Sequence, residues 1–211
     1  MSRFTNVIET LLEGKVVCSV AFPNEHHYLS DPANYLLVDQ YLRQIDRSIA
    51  TTSDNAGYLM VFKGGYSAAK KRQLASVFKE VESQLSVIIG WLRFARNVAP
   101  DSNPLAVGET LNESELLAAI ESSRPLSDEL TAISNKLGRS IKSTEVKRKL
   151  SSVLAYLCEQ DFLINMNQTG SVYQATAKWS LIYDLMEFYI HREGTDLEAA
   201  SLNENQLGME L

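Results

Sequence analysis

Four cations crowd one short stretch of the chain, Lys142, Lys147, Arg148 and Lys149. The sequence places them at the start of a helix that follows two others and precedes a β-hairpin. In a helix-turn-helix protein that element enters the major groove or lies along the backbone, where lysine and arginine neutralise phosphates and release counterions. No accompanying Asn, Gln or Arg pattern reads base edges, so any DNA contact would be weak and independent of sequence. The competing reading is a solvated helix face. Lys70, Lys71 and Arg72 form a second basic run, at the start of a long helix, where the solvated reading carries more weight.

Other reactive side chains do not assemble into a motif. His26 and His27 stand beside Glu25 and Asp31, but adjacent histidines point apart on most backbones and no cysteine joins them. They read as part of a polar surface loop over 24–32, not as a metal set. His191 is isolated. Gly14-Lys15 lacks the upstream glycine and following hydroxyl of a phosphate loop. G-x-S-x-G, H-E-x-x-H and paired-cysteine spacings are missing. A non-enzymatic protein without cofactor or metal is therefore expected. Cys18 and Cys158 read as reduced, buried thiols.

With 211 residues the chain can bury roughly 70% of its unfolded surface without disulfides or metals. Its net charge of −6 gives no global attraction to nucleic acid. Residues 193–211 hold five acids and no Lys or Arg, however, so nearly all the excess charge belongs to an acidic tail. The N-terminal residues lack the basic-then-apolar order of a signal peptide, and no window reaches 18 apolar residues, so a cytoplasmic, non-membrane protein is expected.

Periodicity supplies the elements that must position these groups. Phe4, Val7, Ile8, Leu11 and Leu12 form one helical stripe. Residues 16–22 are β-prone, closed by Pro23. Ser30 or Asp31 caps a helix opened by Pro32 and carrying Tyr35, Leu36, Val38, Tyr41, Leu42 and Ile45. A hairpin follows, with strands near 48–52 and 58–62 around Asp54-Asn55-Ala56-Gly57. A long helix then spans 67–98. Its Leu74, Phe78, Val81, Leu85, Ile88 and Leu92 alternate by four and three, the mark of a seam against another helix. With Trp91 and Phe94 as anchors, that seam is a candidate dimer or partner interface, in competition with packing inside the chain. Pro100 to Pro104 marks a boundary. The second half reads as a short helix capped by Asn112 with Leu116, Leu117 and Ile120 inward, then helices at 125–137 and 145–160, the last capped by Ser143 or Thr144. Strands at 162–166 and 171–176 and a helix at 178–192 complete it.

The fold class is thus mainly α with small β-hairpins, read as tandem winged-helix domains joined by a long helix. The divisions are 1–66, 67–104 (linker helix and boundary), 105–192, and 193–211 (flexible acidic tail). The segments YLLVDQYLRQIDRSIATTSDNAGYLMVF and STEVKRKLSSVLAYLCEQDFLINMNQTGSVYQATAKWSLIYDLMEFYI resemble, in architecture and texture, the kleisin-interacting tandem winged-helix proteins of the MukE/MksE type. That resemblance spans residues 34–192 and rests on no short motif. It implies a homodimeric subunit of a bacterial condensin-like complex. Such a subunit binds a kleisin, is linked through it to an SMC ATPase, and serves chromosome organisation or plasmid exclusion at the nucleoid. A winged-helix transcription regulator and a protein-binding adaptor without DNA contact are the alternatives.

Overall fold

The computed structural model describes residues 2–63, 85–98, 105–137, 145–167 and 171–188. The first unit runs α1 (Arg3–Leu12), β1 (Val17–Cys18), α2 (Pro23–Leu29), α3 (Pro32–Arg43), β2 (Arg47–Thr51) and β3 (Gly57–Phe62). The second runs α4 (helical over 85–98), β4 (Thr110–Asn112), α5 (Glu113–Ser122), α6 (Arg124–Lys136), α7 (Val146–Glu159), β5 (Leu163–Asn165), β6 (Val172–Ala175) and α8 (helical over 178–188). The protein is mainly helical, with two small antiparallel sheets. The sheets share one strand order, first-third-second: β1-β3-β2 and β4-β6-β5.

Local chemistry sets the helix starts. Asp31 Oδ1 accepts the amide hydrogens of Ala33 at 2.8 Å and Asn34 at 3.4 Å, and Pro32 follows at the first helical position. Asn112 caps α5 through the amide of Ser114 at 3.0 Å. For α7 the residue at the cap is Glu145, whose side chain makes no capping bond; Ser143 and Thr144 lie outside the described residues.

The polar segment read as a loop over 24–32 is instead largely helix α2. Pro23 presets its first turn, and the polar appearance comes from outward Asn24 and His27, while Leu29 is buried on the opposite side. Each expected hairpin also gains a third strand. β1 lies in the β-prone run 16–22, of which only Val17–Cys18 is strand, while β4, three residues long, is too short to print an alternating pattern. β1 pairs with β3 in the register Val17↔Tyr58, and β4 with β6 in the register Leu111↔Tyr173.

Two large cores form. The first contains Val7, Ile8, Leu11, Val17, Leu29, Val38, Leu42 and Ile49. The second is built from α4 through α8, with Trp91, Phe94, Leu130, Leu154, Phe162 and Trp179 almost wholly enclosed. The part of the 67–104 interval that is described, 85–98, packs into this second core. Gly90 permits the approach of α4 to α6, since a Cβ there would stand 3.1 Å from Ile133 Cγ1. The 193–211 tail lies outside the described residues.

Between the cores lies a third, small cluster of Val16, Cys18 and Ala177. Val16 and Cys18 face this seam while Val17 faces the first core, which explains three consecutive buried residues around β1.

Candidate interaction surfaces

The helix just before each hairpin, α3 in the first unit and α7 in the second, presents a different outward chemistry. On α7 the expected basic cluster divides. Lys147 and Arg148 are exposed at the N-terminal turn, Arg148 pairing with Glu145 at 3.0 Å. Lys149 turns toward α6, where its Nζ donates to Thr131 Oγ1 at 2.9 Å. Two of the three described members therefore face outward as a phosphate contact would require, and Lys149 serves α6–α7 packing. Further along the same side of α7 come half-buried Ser151 and Ser152 and exposed Ala155, small residues that would let a flat partner approach. Lys142, Lys70, Lys71 and Arg72 lie outside the described residues.

The described end of the long helix, 85–98, packs inside the chain, the alternative that competes with a dimer or partner interface. Trp91 and Phe94 are fully buried, with ring centroids 5.2 Å apart, and Ile88 is 2% exposed. All three belong to the second core, and Leu85 packs against its edge. They close the core of their own chain and cannot anchor a partner without unfolding it. Leu74, Phe78 and Val81 lie outside the described residues.

An apolar surface occurs instead on α3. Leu36, Leu37 and Tyr41 are 55, 51 and 41% exposed, and Ile45 just beyond the helix is 42% exposed. The residues between them are Gln40 and Gln44, and the one cation that α3 itself carries is Arg43, bonded to Asp39. A face of leucine, tyrosine and amide groups suits a protein partner; phosphates would find little there. Sequence periodicity places Leu36, Tyr41 and Ile45 on this helix without dividing outward from inward residues. The signal that separates them is arc width: apolar residues at 35, 36, 37, 38, 41, 42 and 45 occupy more of the helix circumference than one buried face can use.

A buried carboxylate holds this helix in place. Asp39, 4% exposed, accepts from Ser48 Oγ at 2.6 Å and Ile49 N–H at 3.0 Å through Oδ1, and from Arg43 Nε at 2.6 Å through Oδ2. Burial pushes its pKa upward, but the donors from Ser48, Ile49 and Arg43 outweigh that and keep it below the ordinary aspartate value. The charge thus ties α3 to the first residues of β2.

His26 and His27 sit on α2. The His26 ring lies 5.5 Å from that of Tyr58, and burial followed by neighbouring His27 lowers its pKa. Among the described residues no three His, Cys, Asp or Glu side chains gather as metal ligands. Shallow polar depressions beside Arg3 are lined by Asn6, Asn24 and Glu25 and by His27, Tyr28, Ser30, Asp31 and Asn34; the Ser30 hydroxyl donates to the His26 carbonyl at 2.8 Å, and Asp31 Oδ1 is taken up by the Ala33 and Asn34 amides. Both cysteines are free. Cys18 is buried, and burial with nearby Glu159 pushes the Cys158 thiol up to about 11. Among the described residues no helix is long and apolar enough to cross a membrane.

In comparison with known proteins, no protein-family model matches the chain and no curated protein sequence matches it.

Proposed function

We propose that this chain is a non-enzymatic tandem winged-helix scaffold, a dimeric subunit of a bacterial condensin-like SMC complex of the MukE/MksE type. It would bind a kleisin and touch double-stranded DNA weakly. The order helix, strand, helix, helix, hairpin in the first unit supports a winged helix, as does the repeated first-third-second strand order in the second. The observation that carries the reading is the contrast between the two pre-hairpin helices: α3 offers an apolar face and α7 an N-terminal turn with Lys147 and Arg148 outward. One helix suits a protein segment and the other suits phosphates. Kleisin capture is assigned to the first unit and DNA to the second.

Fluorescence anisotropy with unrelated 30-base-pair duplexes tests the DNA half. Wild-type protein should bind them alike. Two phosphate contacts per chain predict a log–log salt slope of about −2 per chain. Lys147→Glu with Arg148→Glu should abolish binding at physiological salt. A preference of about a thousandfold for one duplex would instead support a transcription regulator. Unchanged retention in the double variant would remove α7 from the DNA surface.

A further inference from the structure

The contact between the two units is built unlike either core. Its buried apolar part consists of Val16, Cys18 and Ala177, three small or medium side chains. Such residues take little apolar area out of water compared with the tryptophans and leucines of the second core. Partly buried Val20, Ala21, Ala56, Val107 and Leu181 pack around these three, and the remainder of the seam is polar. The turn of the first hairpin is gripped by α8: Ser180 Oγ donates to Asp54 Oδ2 at 2.6 Å, Ser53 N–H donates to Asp184 Oδ2 at 3.0 Å, and the Ser53 hydroxyl donates to Asp184 Oδ1. Lys15 Nζ meets Asp161 Oδ2 at 2.5 Å, each side chain 34% exposed. Ser53 and Asp54 are exposed, so water can replace several of these bonds on opening.

Two features show how close the seam is drawn. A Cβ on Gly57 would stand 2.8 Å from Ala177 Cβ across the seam and 2.8 Å from Val16 Cγ1 of its own unit, so Ala177 can come this close only against a glycine. Gly57 keeps a negative-φ or extended backbone, so its role is space and not turn geometry. Cys18 Sγ also accepts the amide hydrogen of Ala177 across the seam at 3.4 Å, with the thiol fully enclosed.

We propose that the two units are separable bodies held closed by a polar latch, in which the first hairpin's turn clips onto α8, and that release of the latch reorients the α3 face relative to the α7 face. Each unit keeps its own core when the latch opens, because the first core is assembled from residues before Phe62 and the second from residues after 84. Opening uncovers Cys18, which becomes its reporter. The latch is independent of which macromolecules occupy α3 and α7.

The test is maleimide labelling of Cys18 in the full chain carrying Cys158→Ser. In the parent protein labelling should be slow, its rate set by the open population. Ser180→Ala with Asp184→Ala removes bonds to both latch carboxylates and should speed labelling at least about tenfold. Gly57→Ala, a wedge at the seam, should do the same. Both variants should retain the parent's far-ultraviolet circular dichroism. Ile133→Val, a mild change in the second core, should label at the parent rate. Parent-rate labelling in both seam variants would overturn the proposal. So would labelling that rises in step with lost thermal stability across all variants, Ile133→Val included, because exposure would then arise from unfolding.

Discussion

Asp39→Ala should destabilise the first unit by about 4 kcal/mol, as two enclosed donors, the Ser48 hydroxyl and the Ile49 amide, lose their acceptor at about 1–3 kcal/mol each. Arg43 contributes less to this loss, because its side chain is more than half exposed and water can take over its bond. Ser48→Ala removes one donor and keeps the charge, so it should cost far less. Urea unfolding at neutral pH measures both, and equal midpoints for wild type and Asp39→Ala would refute the assignment. The pH dependence has a definite sign. The carboxyl is held below its ordinary value in the folded state, so its stabilisation is complete above the unfolded-state value and is lost as pH falls through the folded-state value. Asp54 is shifted the same way: burial opposes the shift, but bonds from Ser180, Thr52 and the Ala56 amide prevail. Wild type should therefore lose stability on acidification more steeply than Asp39→Ala does.

Leu36→Glu with Leu37→Glu should weaken capture of the protein partner by about a hundredfold or more, because paired charges on an interface core must be desolvated without counterparts. Both side chains are more than half exposed, so folding stability should change by only about 0.5 kcal/mol. Tyr41 is left in place because its ring packs edge-on against Phe4 at 5.6 Å and its removal would mix stability with binding. Sedimentation equilibrium and co-purification with a co-expressed kleisin read the two parts of the outcome. Unaltered self-association and unaltered kleisin capture together would show that α3 is not the docking helix. The DNA contact proposed for Lys147 and Arg148 should survive this change, as they lie on the other unit.

Much of the secondary structure was legible because its causes are local. Asp31-Pro32 marks the start of α3, Asn112 the start of α5, and the run Tyr58 to Phe62 is strand because Tyr58, Val61 and Phe62 favour extended backbone and the run is bounded by turn residues. Segments that depend on remote partners were less legible. α2 carries too few apolar residues to show a stripe, β4 exists only because β6 offers a free edge to pair with, and the β-prone run 16–22 forms strand only at Val17–Cys18, where β3 pairs with it. The candidate site was legible in the same uneven way. Charge at the start of α7 is visible in the residue types, but the turning of Lys149 onto Thr131 depends on where α6 lies.

The sequence alone determined what local chemistry controls: the alternation of helices and hairpins, their caps, and the position of a basic turn before the second hairpin. Only tertiary structure decided which apolar residues are covered. Trp91 and Leu37 are both apolar residues on amphipathic helices, yet one is enclosed by α6 and its neighbours and the other is left facing outward. It also decided that Gly57 serves close approach of the two units, not the turn its neighbours suggest. The physical reason is range. Propensity and capping act over three or four residues, whereas burial depends on elements that come together from distant parts of the chain.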